Sequence, residues 1–171
     1  MDRIDDLVAD MTDGSISVNP VVVENAIASG QPEFLLAMMG AGYHVDEDQI
    51  LEAFINAIDN RDEDVVIELL DHENTSILGR ESLKTILHYA LDSEKYDIAN
   101  HILETTSITV PTSYLMGLIE RLDLTTLQMY VDETTPQETV QELIDYTLQL
   151  SEQFDNSDEI VDILTYLEDL L

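Results

Sequence analysis

An alanine recurs at corresponding places along the chain, at Ala26, Ala57 and Ala90, with spacings of 31 and 33 residues. Each alanine closes a segment with helical apolar periodicity, and a short polar turn and a second apolar-rich segment follow it. A period near 33 with two helices per unit is typical of a solenoid, in which each unit buries its apolar face only by stacking on its neighbours. The repeat therefore predicts an all-α solenoid of about five helix pairs.

Helical periodicity extends over most of the chain. Apolar residues recur at intervals of three and four, and capping patterns occur at Asn19-Pro20, at Asp46 with Gln49, and at Thr135-Pro136-Gln137-Glu138. The segment 107–110 alternates like a strand, but it is short and ends at Pro111, which favours a loop. We expect helices near 2–11, 20–29, 32–40, 47–59, 62–71, 82–92, 95–104, 112–122, 124–132, 136–152 and 158–170.

Two stretches of the repeat resemble the ankyrin-repeat family. Thr85-Ile86-Leu87-His88-Tyr89-Ala90 is close to the family's T-P-L-H-x-A, with isoleucine in place of proline, and the helix ending at 38–42 has the family's glycine. The resemblance implies ankyrin-like units over 19–106 and a structural role for His88, which would bond neighbouring backbone. Within a single domain, 1–171, we expect 1–18 to form an N-terminal capping helix and 107–171 to form degenerate helical pairs.

The charge of this chain is extreme. There are 37 acidic residues against 6 lysines and arginines, and the net charge is −31. The acids are interleaved with leucine, isoleucine and valine, so they belong to the folded part and not to a separate tail. Self-repulsion of this size destabilises a compact state, and its sign opposes direct binding of nucleic acid.

The sequence carries no recognisable catalytic motif. Cysteine is absent, and His44, His72, His88 and His101 lack the spacing of a helical zinc site. An acidic run at 155–159 has Ile160 where a calcium loop needs glycine. We therefore expect a non-enzymatic protein with no cofactor and no metal. With no signal peptide and no apolar run of membrane-spanning length, we expect no membrane contact and a cytoplasmic location, in the host cytoplasm if the protein is viral.

The acidity suggests a mimic of DNA. Packed helix layers lie about 8–10 Å apart, so five stacked pairs would span about 50 Å. The net charge of −31 would then give one charge per about 1.6 Å, close to the value of about 1.7 Å for duplex DNA. Such a chain resembles, in strategy, the phage-encoded acidic inhibitors that occupy the basic DNA groove of restriction enzymes and other bacterial defence enzymes, of the anti-restriction or anti-CRISPR type.

Two other interpretations stay open. Halophilic proteins are also acidic and poor in lysine, although they tend to contain more alanine and fewer large aliphatic residues than the 9 Ala and 16 Ile of this chain. An ankyrin-like adaptor with a basic protein partner would instead concentrate its acids in one patch. Here every unit is acidic, which favours the mimic over the adaptor and suits the halophile equally.

Two acidic clusters are predicted to bind the partner's basic surface. The cluster in the second repeat comprises Asp59, Asp62, Glu63, Asp64, Asp71 and Glu73. The C-terminal cluster comprises Asp155, Asp158, Glu159, Asp162, Glu168 and Asp169. A homodimer is also possible through an apolar face formed by Ile160, Ile163, Leu164, Leu167 and Leu171.

Overall fold

The regular structure is helical throughout the residues that the computed structural model describes, 3–152 and 157–171. No strand occurs in these ranges, which confirms the all-α prediction. The helices are α1 (Arg3–Asp13), α2 (Pro20–Ala28), α3 (Pro32–Gly40), α4 (Glu47–Asn60), α5 (Glu63–Leu70), α6 (Arg80–Asp92), α7 (Tyr96–Thr105), α8 (Thr112–Glu120), α9 (Leu124–Tyr130), α10 (Gln137–Ser151) and α11 (Asp158–Glu168), with a short 3-10 helix at Glu73–Ile77.

Local signals account for these helix bounds. Each α-helix begins and ends within two residues of its predicted position, and the loop predicted at 107–110 is confirmed. The Asn19 side chain accepts a hydrogen bond from the N–H of Val22 at 3.2 Å and caps α2. The Gln49 side chain accepts from the N–H of Asp46 at 3.1 Å, as half of a capping box does.

One predicted cap is wrong, and one helix was not predicted. Thr135 does not cap α10, because its hydroxyl accepts a hydrogen bond from the N–H of Asp132 at 3.0 Å and closes the preceding loop. The 3-10 helix at Glu73–Ile77 is held by the Thr75 hydroxyl, which donates to the carbonyl of Leu69 at 2.8 Å. This bond spans a bend in the chain and leaves no periodic signal in the sequence.

The helices form two compact units, Met1–Ile108 and Thr109–Leu171. In the first unit α2 packs on α3, α4 on α5 and α6 on α7, and these pairs meet through α2 with α4, α4 with α6, and α5 with α7. The helix α1 packs on α3. In the second unit α8 packs on α9 and α10 on α11, and the pairs meet through α8 with α10 and α9 with α11. Within each unit, most helices thus contact their own hairpin partner and the corresponding helix of the next pair.

The same turn closes three of the helix pairs. A residue in the left-handed region follows the first helix, and the next N–H bonds to the carbonyl five residues before it, which is the Schellman ending of a helix. The left-handed residues are Gly30, Glu94 and Leu122, and the bonds run from Gln31 to Ala26 (2.9 Å), from Lys95 to Ala90 (2.8 Å) and from Asp123 to Leu118 (2.9 Å).

The second pair lacks this turn, although Ala57 occupies the same repeat position as Ala26 and Ala90. Ala57 is fully buried, as are Ala26 and Ala90 within a few per cent. Arg61 follows α4 in an extended conformation, with φ −131°, and its N–H bonds to the carbonyl of Ala57 at 2.9 Å. This conformation sends the Arg61 side chain towards the buried Glu33 of α3, where the two charges lie 2.9 Å apart.

Candidate partner-binding surface

The acidic side chains lie on the surface of both units. Every described aspartate and glutamate is exposed except the buried Glu33 and the partly buried Glu47, Glu63 and Asp123. The segment 109–171 carries 14 acids against Arg121 alone, which gives it a net charge of −13. The acidity is thus a property of the folded surface in each unit.

Half of the acidic cluster predicted in the second repeat, residues 59–73, makes contacts within the molecule. The Asp59 carboxylate accepts a hydrogen bond from the Tyr89 hydroxyl at 2.6 Å. Glu63 accepts from the N–H of Asp97 at 3.1 Å, at the start of α7. These two carboxylates therefore join α4 to α6 and α5 to α7, and their contribution to stability was not expected from the sequence.

Asp71 is the third engaged member of this cluster. Its carboxylate lies 2.9 Å from the Nε2 atom of His101, which is on α7 and largely buried. The other three members, Asp62, Asp64 and Glu73, are exposed. Asp62 occupies the N-cap position of α5 without a side-chain cap bond, and Asp64 lies in the first turn of that helix. Asp62, Asp64 and Glu73 thus form a free trio beside the bonded trio of Asp59, Glu63 and Asp71.

The C-terminal cluster lies on α11 and at its end. The described members, Asp158, Glu159, Asp162, Glu168 and Asp169, are all exposed, whereas Asp155 lies outside the described residues. At 100° per residue, Asp158, Asp162 and Asp169 share one face of the helical turn, opposite the buried face. This face carries three carboxylates that point away from the unit.

The apolar face suggested for a homodimer is used inside the second unit. Ile160, Ile163 and Leu167 are fully buried, and α11 packs against α10 and α9. Leu164 is half-buried, and Leu171 is exposed. This particular face is therefore not available to a second copy, and dimerisation by any other surface stays a prediction.

Further bonds between successive helix pairs were missed by sequence reasoning. Glu47 of α4 accepts hydrogen bonds from the N–H of Gly79 at 2.7 Å and from the Ser82 hydroxyl at 2.5 Å, so it caps the start of α6. In the second unit the Tyr146 hydroxyl donates to Glu120, which joins α10 to α8. The partners lie about one repeat apart in sequence, and this spacing is the signal that could have identified them.

These bonds shift the pKa of the groups that make them. The Ser82 hydroxyl and the N–H of Gly79 stabilise the charged form of Glu47 and lower its pKa. Donation to Asp59 raises the pKa of Tyr89, and donation to Glu120 raises the pKa of Tyr146, because ionisation would place a phenolate beside a carboxylate. Each tyrosine therefore remains a neutral donor at physiological pH.

Most of the few cations make contacts within the molecule. Arg61 and Arg3 both face the buried Glu33, at 2.9 and 3.4 Å, so they neutralise no surface acid. Lys84 pairs with Glu81 at 2.7 Å on α6. The remaining contacts are those of Arg80, whose guanidinium donates to the hydroxyl and carbonyl of Ser107, and of Arg121, which lies over the ring of Tyr114.

Three of the four histidines make separate local contacts. His88 is exposed on α6, and within the described residues its side chain makes no hydrogen bond to backbone, so the backbone-bonding role that the ankyrin resemblance implies is corrected. His44 lies 3.0 Å from Asp46 in an exposed loop, and His72 accepts from the N–H of Asn74 at 3.2 Å. Across 3–152 and 157–171, no group of three or more His, Asp or Glu residues could hold a metal ion.

Neither the helices nor known proteins point to another kind of site. None of the helices in the described ranges has the length and apolar composition needed to cross a membrane. Comparison with known proteins finds no matching family model, no matching curated protein and no matching solved structure.

Proposed function

We propose that this chain is an acidic binding protein that mimics DNA and inhibits a bacterial nucleic-acid-binding defence enzyme by occupying its basic groove. It acts by binding and not by catalysis, in the cytoplasm, and its partner surface is basic. The observation that carries this proposal is that nearly all described carboxylates are exposed, while Arg3 and Arg61 both pair with the buried Glu33. A surface of this kind can replace the phosphates that an enzyme's lysines and arginines ordinarily contact.

We further propose that the helix pairs stack as an ankyrin-like solenoid. The contacts of each helix with the corresponding helix of the next pair support this within each unit, as does the turn repeated at Gly30, Glu94 and Leu122. Stacking at a regular spacing would fix the carboxylates in rows. Fixed rows favour binding because little conformational entropy is lost when the groove closes on them.

The direct test is inhibition of DNA cleavage. Purified restriction enzymes and CRISPR effector nucleases are incubated with plasmid and increasing amounts of the protein at several salt concentrations. We expect inhibition of at least one enzyme that is competed by added duplex DNA and weakens steeply with salt, since binding displaces counterions from the groove. Inhibition that does not change with salt, or that duplex DNA does not compete, would refute the mimic.

The free trio and the bonded trio in the acidic cluster of the second repeat provide a matched pair of variants. Each contains two aspartates and one glutamate, so conversion to the corresponding amides changes the charge equally. We expect the triple variant Asp62→Asn, Asp64→Asn, Glu73→Gln to inhibit more weakly without a change in its unfolding midpoint. Amides at Asp59, Glu63 and Asp71 should lower the midpoint, because these carboxylates hold hydrogen bonds between helix pairs.

The C-terminal cluster provides an independent variant. Reversing Asp158, Asp162 and Asp169 to lysine should reduce the slope of log affinity against log salt by about three if each carboxylate meets a basic group. The mimic is wrong if neither this reversal nor the amides at Asp62, Asp64 and Glu73 change inhibition at moderate salt. A halophilic protein would instead unfold on transfer to low salt, and an adaptor would bind a partner that duplex DNA does not displace.

A further inference from the structure

A cavity of about 160 Å³ lies where α1, α3 and α5 approach one another in the first unit. Its walls carry both signs of charge and apolar surface, from Arg3, Glu33, Arg61, Glu68, Ile4 and Val65 among others. An engineered cavity of about 150 Å³ accommodates benzene, so this space suits a ligand of about six to eight non-hydrogen atoms.

Glu33 is the buried acid among the residues that line this cavity. Its side chain is 3% exposed, and Arg61 Nη1 and Arg3 Nη2 both approach the same oxygen, Oε1, at 2.9 and 3.4 Å. Among the described residues, neither oxygen of Glu33 has a hydrogen-bond partner of good geometry. A buried carboxylate without a hydrogen-bond donor is costly, and the two ion pairs leave Glu33 without one.

The cavity lies beside the place where the second helix pair departs from the repeat. The extended conformation of Arg61, in place of a left-handed turn, directs its guanidinium to Glu33. The helix α3 packs on α1, α2, α4 and the 3-10 helix, and α5 packs on α4 and α7, while α3 and α5 make little direct contact with each other. Space therefore remains between α3 and α5.

The acidic and basic side chains that line the cavity favour a ligand with both signs of charge. The carboxylate of Glu33 lacks a hydrogen-bond donor, and the guanidinium of Arg3, whose side chain is 72% exposed, can donate to an acceptor. A simple anion would face Glu33 and Glu68, and a simple cation would face Arg3 and Arg61. We propose that the cavity binds a small zwitterion, a free amino acid whose ammonium meets Glu33, whose carboxylate meets Arg3, and whose short apolar side chain packs on Ile4 and Val65. This site does not depend on the proposed inhibitory function.

An NMR titration with L-valine tests the proposal. We expect backbone amide shifts concentrated in α1, α3 and α5 at millimolar valine. Isovalerate lacks the ammonium and isobutylamine lacks the carboxylate, so each should bind at least tenfold more weakly. Absence of localised shifts would mean that the cavity holds water only and would overturn the proposal, as would equal binding of isobutylamine, which would indicate attraction to the acidic surface.

Two arginine variants connect the binding to the cavity. Arg3→Ala should weaken valine binding at least fivefold in a folded protein, because the Arg3 side chain is mostly exposed. Arg80→Ala is the matched control, since Arg80 bonds Ser107 and does not line the cavity. If Arg3→Ala binds valine as the parent does, or if both variants lose binding equally, the proposal fails. Glu33→Gln, where it folds, should abolish the preference for valine over isovalerate.

Discussion

Gly30 lies where the first hairpin turn meets α4. Its φ is +61°, and a Cβ atom added there would lie 2.6 Å from the backbone N of Ala57 and 2.6 Å from the backbone C of Asn56. The Asn56 side chain donates to the carbonyl of Ile27 at 2.9 Å across the same contact. Gly30→Ala therefore combines an unfavourable backbone conformation with a collision against helix backbone, which cannot rotate away as a side chain can.

Gly42 separates these two effects. It ends α3 with φ +87°, and an added Cβ would have nothing within 4 Å. The left-handed conformation costs a non-glycine residue about 1–2 kcal/mol, so Gly42→Ala should destabilise the first unit by about that amount. Overpacking adds about 1–3 kcal/mol, so Gly30→Ala should cost roughly 2–5 kcal/mol.

The assay is urea unfolding followed by circular dichroism, with hydrogen exchange and mass spectrometry to assign the loss to the first unit. We expect faster exchange in α2 and α4 for Gly30→Ala than for Gly42→Ala. If the two variants are equally stable, the turn at Gly30 does not pack on α4 as described, and the stacking of the first two pairs is wrong.

Three further outcomes follow from the same contacts. Glu94→Gly should stabilise the protein by up to about 1 kcal/mol in urea unfolding, because Glu94 has φ 57°. Asp59→Asn should lower the raised pKa of Tyr89 towards its ordinary value in a ¹³C NMR titration, and an unchanged pKa would rule out the hydrogen bond as its main cause. Glu47 has a lowered pKa, so its stabilisation is present above its ordinary value of 4.5 and is lost as the pH falls through the lowered one; urea midpoints should decline less on acidification in Glu47→Gln than in the parent.

The helices could be predicted because their signals are local. Periodicity and caps such as Asn19 lie within a few residues of the helix that they specify. The exposure of the acids was predictable for the same reason, since a charged helix face opposite an apolar one is solvated. Whether an acid is bonded or free depends on which side chains the neighbouring helix places beside it, as α6 places Tyr89 beside Asp59. No local pattern in the sequence contains that information.

Glu33 shows a second limit of sequence reasoning. It follows Pro32 in the first turn of α3, where an exposed acid would be ordinary. Its burial depends on α1 packing over α3 and on the extended conformation of Arg61. Arg61 takes the place in the turn where the other pairs have a left-handed residue, so only the three-dimensional fold shows that the two charges meet.

The hydrogen bonds between helix pairs join parts of a very acidic chain without added positive charge. Asp59 and Glu120 bond tyrosine hydroxyls, and Glu47 and Glu63 bond backbone N–H groups of the next pair. Lysine or arginine at those places would also join the pairs, but each would cancel one negative charge. Neutral donors satisfy the carboxylates and leave the charge of −31 intact, although self-repulsion opposes folding. The use of neutral donors at these positions fits the proposal that the negative charge itself is what the partner binds.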